Sequence, residues 1–208
     1  NRVLELRHQR IESEFQFAIE IIANTSGNSL SRETLLPPTG IGAFALPSAL
    51  CDLSPRIFEV VEQLKSSQSL QFKHYETRAE LFCDWAFHNI EYSHDATDEK
   101  TSASQSLQYG KGVCQDYAHL MIALCRAGGL PARYISGYSA GEGQMHAWVE
   151  VLCEDAWVAF DPTHNRKTKP ECVAVATGRD YRDVSPHRGK FEGQARAQLF
   201  SGCKTRTL

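Results

Sequence analysis

The residues of this chain that could do chemistry together are a cysteine, a histidine and an aspartate. Cys114 follows the Gly110-Lys111-Gly112 turn and Val113. It opens a segment patterned as a helix to about Ala127, which Gly128, Gly129 and Pro131 stop. The positive end of a helix and its unpaired amides favour negative charge, and so the thiolate, which is the nucleophilic form of a cysteine. The same amides can hold an oxyanion. A thiol nucleophile also needs a base beside it and a group that orients that base. His146, on a strand pattern downstream, is the candidate base.

The acid follows from strand register. Met145 to Cys153 and Ala156 to Phe160 are separated only by Glu154 and Asp155, which predicts a hairpin. If Cys153 opposes Ala156, the same register sets Trp148 opposite Asp161 and His146 opposite Thr163, with all four side chains on one face. Asp161 is then the diagonal neighbour of His146 at ~7–8 Å between backbone positions, within reach of the imidazole. Glu150 shares the face but lies roughly 13 Å along the same strand at ~3.3 Å per residue, so it is the weaker orienter. Pro162 should end the strand directly after Asp161 and leave the acid at an edge.

The elements that must position these residues can also be read. Ser54-Pro55 caps a helix with the apolar stripe Ile57, Val60, Val61 and Leu64. Thr77 with Glu80 predicts a capping box for a second helix ending near Asn89, and Ser102 to Tyr109 a third, closed by Gly110. Ala132 to Ser139 reads as a strand ahead of the hairpin. The first 25 residues alternate with period two, as in Phe15 to Ile21, and predict strands. A run from Thr25 to about Pro47, with Gly27, Gly40 and Pro37-Pro38, reads as a linker with extended structure at most. Opening inside a strand pattern predicts a domain cut in two, and opening on Asn1 rather than Met a fragment that could have lost a leader.

Composition sets the class. The 208 residues are 42% hydrophobic and 23% charged, as in folded proteins, so a packed core of one sizeable domain is expected. A net charge of -3 lacks the basic excess of a dedicated nucleic-acid binder. Apolar runs such as Phe17 to Ala23 are too short to span a membrane. The seven cysteines are odd in number and include neither a CxxC pair nor a tight Cys/His cluster, so at least one thiol is free and no metal site is expected. A reducing, cytoplasmic compartment is the expectation. Cys51, Cys83, Cys125, Cys153, Cys172 and Cys203 read as ordinary thiols, and His74, His88, His94 and His119 as ordinary helix or near-helix residues.

Gly112-Val113-Cys114-Gln115-Asp116, Pro131-Ala132-Arg133-Tyr134, Ser136-Gly137-Tyr138, His146-Ala147-Trp148-Val149-Glu150-Val151 and Phe160-Asp161-Pro162-Thr163 together closely resemble the bacterial transglutaminase-like proteins. Leu36-Pro37-Pro38, Ile90-Glu91-Tyr92, Gly178-Arg179-Asp180-Tyr181 and Asp183-Val184-Ser185-Pro186 extend the likeness across roughly residues 36 to 190. The resemblance implies an α+β, papain-like fold with helices packed on an antiparallel sheet, and a Cys114, His146, Asp161 triad. It divides the chain into 1–35 as remnant of an N-terminal β-rich domain and linker, 36–190 as catalytic domain and 191–208 as a tail with a possible strand. Two departures stand out. His164 occupies the place of an expected Asn, and the loop from Ala140 to Gln144 is short, which predicts a more open cleft.

The spacing of thirty-two residues from Cys114 to His146 differs from the ~130–150 of papain-type peptidases, so a peptidase of that family proper is not expected. The implied chemistry is acyl transfer. Cys114 attacks an amide carbonyl of a protein or peptide, glutamine or other, and a thioester forms that an amine or water resolves. The Cys114 amide, with the Tyr92 hydroxyl or the Gln115 side chain, is the oxyanion candidate, and Trp148 a candidate cleft residue. No cofactor, metal, nucleic acid or membrane partner is expected. The alternative is a catalytically silent interaction module that kept the fold. The Arg179-Asp180-Tyr181 segment reads as structural, tying the tail back to the domain.

Overall fold

The computed structural model describes residues 5–7, 10, 38–67, 73–139, 145–168, 172–186 and 192. The expected N-terminal strands, the 140–144 loop and nearly all of the C-terminal tail lie outside them.

Six helices and seven strands follow in the order α1 (Pro38–Ala45), α2 (Pro55–Ser67), α3 (Tyr75–Asn89), β1 (Glu91–Tyr92), α4 (Ala103–Tyr109), β2 (Lys111–Gly112), α5 (Cys114–Ala127), β3 (Ala132–Tyr138), β4 (Met145–Cys153), β5 (Ala156–Asp161), β6 (Arg166–Lys167), β7 (Val173–Gly178) and α6 (Tyr181–Val184) among the described residues. Five strands form one antiparallel sheet in the order β6-β5-β4-β3-β7, and β1 pairs with β2 in parallel. This is the α+β arrangement of helices on an antiparallel sheet that the sequence predicts.

The core forms where α5 lies on the sheet. Leu120, Met121, Ile122, Ala123, Leu124 and Cys125 are all fully buried, so this helix is covered all round. Phe82 and Ala86 of α3 and Ile57 and Val60 of α2 cover it from one side, and Val149, Val151 and Phe160 of the sheet from the other. Arg126, near the end of α5, is buried with its guanidinium on the carbonyls of Phe44, Ala132 and Arg179 and the hydroxyl of Ser48. Each nitrogen of the fork thus finds at least one acceptor, as a buried cation requires.

The β4–β5 register is the one derived above, with Cys153 opposite Ala156 and Val149 opposite Phe160. It stops there. The chain turns at Pro162, so Asp161 pairs with Arg166 of β6 and Thr163 sits in the turn instead of opposite His146. β6 and β7, both at sheet edges, were absent from the sequence expectations.

Two helix expectations need correction. Helix α3 begins at Tyr75, two residues before the proposed Thr77–Glu80 box, and its N-cap His74 makes no side-chain cap. The 25–47 run is not extended throughout, because α1 is helical. Its Phe44 packs edge-on against Trp157 at 5.7 Å and gives its carbonyl to Arg126. Tertiary anchoring therefore outweighs the low helix propensity of Gly40 and Gly42. At α4, by contrast, the closing Gly110, left-handed at φ 64°, is as expected, and the helix start carries a capping box of Ser102 and Gln105 that the sequence reading does not include.

Candidate active site

Cys114 is the first residue of α5, and the chain reaches it through a tight approach. A Cβ on Gly112 would lie 2.6 Å from the Asp116 side chain, so only glycine passes there. Asp116 is fully buried. Its Oδ2 accepts from the Val113 amide at 2.8 Å and the Thr97 hydroxyl at 2.6 Å, and its Oδ1 from the Ser106 hydroxyl at 2.9 Å. The carboxylate thereby performs the return half of a capping box and fixes the backbone on which Cys114 sits. Burial pushes its pKa up, above the usual carboxylate value, and these neutral donors offset that only in part. The sequence signal for this role is an acidic residue three positions after the helix N-cap.

His146 projects from β4, where Gly137 of β3 faces it across the ladder. A side chain at Gly137 would collide with the Val173 carbonyl and the Trp148 ring. Trp148 is 2% exposed and its ring lies 6.3 Å from that of His146. It backs the histidine strand from inside and presents no open cleft wall, which corrects the cleft expectation.

The structure brings Cys114, His146 and Asp161 together. His146 is hydrogen-bonded to Cys114. Its Nε2 lies 3.1 Å from Oδ2 of Asp161, an ion-pair approach poorly aligned as a hydrogen bond. Such contacts often tighten only when substrate binds. Burial by itself would lower the basicity of His146. The Asp161 carboxylate and the Cys114 sulfur reverse this and raise it to about 10. Asp161 is 1% exposed, and burial pushes it up, but His146 and His164 outweigh burial and hold it below the usual carboxylate value.

Asp161 serves several donors. Oδ1 accepts from the Thr163 amide at 3.2 Å. Oδ2 takes His164 Nδ1 at 2.7 Å and faces Arg166 Nη2 at 3.5 Å. His146, Asp161 and His164 are residue types that can ligate zinc, and their ligand atoms lie within 4.8 Å of one another. The fit is poor. Four ligands at ~2.0–2.1 Å in a tetrahedron stand about 3.3 Å apart, whereas His164 and Asp161 are at hydrogen-bond distance and a guanidinium faces the same oxygen. The cluster is built around protons.

The remaining candidates are adjacent but engaged elsewhere. Tyr92 pairs with Gly112 through β1 and β2, two residues before Cys114, and is 48% exposed with its ring against His94. Gln115 donates its amide to the Asp98 carbonyl at 3.3 Å. Glu150 is held by Arg133 at 2.7 Å. Of the other thiols, Cys51, Cys83, Cys125 and Cys153 are buried and Cys172 is partly exposed, while Cys203 lies outside the described residues. Burial pushes the thiols of Cys51, Cys83 and Cys153 up to about 12. Asp180 accepts from the Leu50 and Arg182 amides, and the Tyr181 amide donates to His119, which ties the 179–184 segment to the domain.

The family model of the transglutaminase-like superfamily matches residues 62–162, a span that ends one residue after Asp161. The chain carries a transglutaminase-like domain. The Mycobacterium tuberculosis protein Rv2569c is 31% identical over 184 residues, covering 79% of this chain and 58% of its own. A solved structure from Cytophaga hutchinsonii, named a "Putative Cysteine Protease", superposes with a TM-score of 0.55 at 33% identity over 72% of this chain and 50% of that one. A shorter stretch of 66 residues is 38% identical to a protein-glutamine gamma-glutamyltransferase of Pseudomonas aeruginosa, covering 26% of this chain and 10% of that protein. The transglutaminase-like chain thus spans between a tenth and about three fifths of these relatives. No helix among its described residues is long and apolar enough to cross a membrane.

Proposed function

We propose that this domain is a cysteine-dependent acyl-transfer enzyme acting on amide bonds of proteins or peptides. The observation that carries the reading is the continuous chain from Cys114 through His146 to the buried Asp161. With Nε2 turned to Asp161, Nδ1 is the nitrogen left to take the thiol proton, giving a thiolate–imidazolium pair. The thiolate attacks the amide carbon, and the oxyanion forms beside the first amides of α5, which have no partner within the helix. As the C–N bond breaks, the imidazolium returns the proton to the departing nitrogen, and a thioester remains on Cys114. His146 then deprotonates the amine or water that cleaves the thioester. Asp161 holds the imidazole in the required tautomer and balances its charge.

The likeness of a 66-residue stretch to a gamma-glutamyltransferase supports a glutamine side chain as a candidate acyl donor, with an amine or water resolving the thioester. The test compares wild type with Cys114→Ala for labelled-amine incorporation into a protein and for peptide hydrolysis. Amine incorporation lost in the variant supports transamidation, and Cys114-dependent hydrolysis alone supports a peptidase. Neither activity in wild type, together with unchanged partner binding by Cys114→Ala, would overturn the reading in favour of an interaction module.

A further inference from the structure

His164 departs from the residue expected after Asp-Pro-Thr, and the structure puts that departure against the acid. The turn that carries it is well fixed. Pro162 to Asn165 connect β5 to β6, and Asp161 and Arg166 close the turn as a ladder pair. Asn165 adopts φ 48°, a left-handed conformation that asparagine tolerates, and its side-chain amide donates to Asp84 at 2.8 Å. On this base the His164 ring stands 5.4 Å from that of His146, and both imidazoles bring a nitrogen near one oxygen, Oδ2 of Asp161, His164 as a hydrogen bond and His146 as a less aligned ion-pair approach. The His164 contact is the shorter, 2.7 Å against 3.1 Å.

A carboxylate only accepts, so Nδ1 of His164 must carry a hydrogen whatever the charge on the ring. The side chain of His164 is 38% exposed while that of Asp161 is 1% exposed, so the ring reaches the acid from the solvent side. The other groups facing the carboxylate are the Arg166 guanidinium at 3.5 Å and the buried Cys83 thiol of α3, with Asp84 beyond Asn165. Without His164, the remaining cationic group near Oδ2 besides His146 is Arg166, whose Nη2 stands 3.5 Å away.

We propose that His164 is a positioning residue for the acid of the site: its Nδ1–H, with the Thr163 amide on the other oxygen, fixes the carboxylate of Asp161 so that Oδ2 faces His146. The inference rests on the reading of His146 as the base. It makes the departure from asparagine a substitution of one donor for another, because an Asn Nδ2 occupies nearly the place of a His Nδ1.

The test uses the full chain with His164→Ala and His164→Asn. Two readouts are taken: the pH profile of Cys114 alkylation by iodoacetamide, and the titration of the His146 signal by NMR of histidine-labelled protein. His164→Ala should lower the alkylation rate about tenfold, within the ~10² that a misplaced catalytic group can cost. It should also move the alkaline limb and the His146 titration down by about one pH unit. His164→Asn should restore both, with thermal stability near that of wild type. An unmoved titration in His164→Ala, or one moved upward as release from a competing donor would produce, overturns the proposal. If Cys114 is inert to alkylation in wild type, the enzymatic reading fails while the NMR titration still decides the role of His164.

Discussion

Two buried carboxylates flank the candidate site, and they differ in the charge of what surrounds them. Asp116, beneath the start of α5, is held by two hydroxyls and a backbone amide. Asp161, at the end of β5, is held by two imidazoles and a backbone amide, with a guanidinium nearby. Both are out of water, yet the first is pushed above the ordinary carboxylate value and the second held below it. Hydrogen bonding alone satisfies a buried acid. Opposite charge is what keeps it ionised. The first acid shapes the backbone under Cys114, and the second raises the proton affinity of His146.

The largest effect should come from removing the charge at the second acid. Asp161→Asn is expected to cut the rate of amide turnover ~10²–10⁴-fold at neutral pH, because the histidine loses both its tautomer guide and its counter-charge. Steady-state kinetics with circular dichroism as the fold check would show it, and a loss below tenfold would erase the contrast between the two acids. Asp116→Asn should act on stability first. An amide there weakens the hydrogen bonds the carboxylate receives and needs a hydroxyl of Ser106 or Thr97 to turn and accept its NH2, at a cost of about 1–3 kcal/mol by urea denaturation, with the pH profile of alkylation in place.

The next prediction concerns pH. His146 has its proton affinity raised in the fold, so its contribution to stability is full below the ordinary histidine value of ~6.5 and is lost as pH rises through about 10. Denaturation series in that window should slope downward in wild type and less steeply in Asp161→Asn. In acid the two carboxylates oppose each other. The stabilisation from Asp161 is lost as pH falls through its lowered folded value, whereas protonation relieves the strain of keeping Asp116 charged as pH falls through its raised value. Asp116→Asn should therefore steepen the acid limb of unfolding. The smallest effect is expected at the periphery, where Thr97→Val removes one donor from Asp116 and should cost roughly 1 kcal/mol without altering the pH profile.

Much of this site is legible in the sequence because its geometry is local or periodic. A helix start marks Cys114, and the two-residue turn between β4 and β5 fixes which residues share the face of His146. What escapes is set at longer range. Helix α1 exists because Phe44 reaches Trp157 and Arg126, partners more than eighty residues away that no local pattern announces. The edge strands β6 and β7 are short or lack clean alternation, and they acquire strand geometry from the ladders they join. The role of Asp116 depends on burial and on Thr97 and Ser106, partners that its position three residues after the N-cap does not specify. His164 was visible only as a departure, and its place on Asp161 depends on how tightly the chain turns after Pro162.

The guanidinium of Arg126 spans the segment before α2, the start of β3 and the segment before α6, all from the far end of the helix that begins with Cys114. A fork seated on four oxygens cannot release one of them without leaving buried donors unmatched. Opening of the 44–50 and 179–184 segments should therefore be concerted with loosening of α5, and amide exchange in all three should run at a common rate. The cysteine end of the helix would then lose its shape in the same step as two segments more than one hundred and twenty residues apart in sequence, joining the integrity of the Cys114 site to a distant closure of the polypeptide.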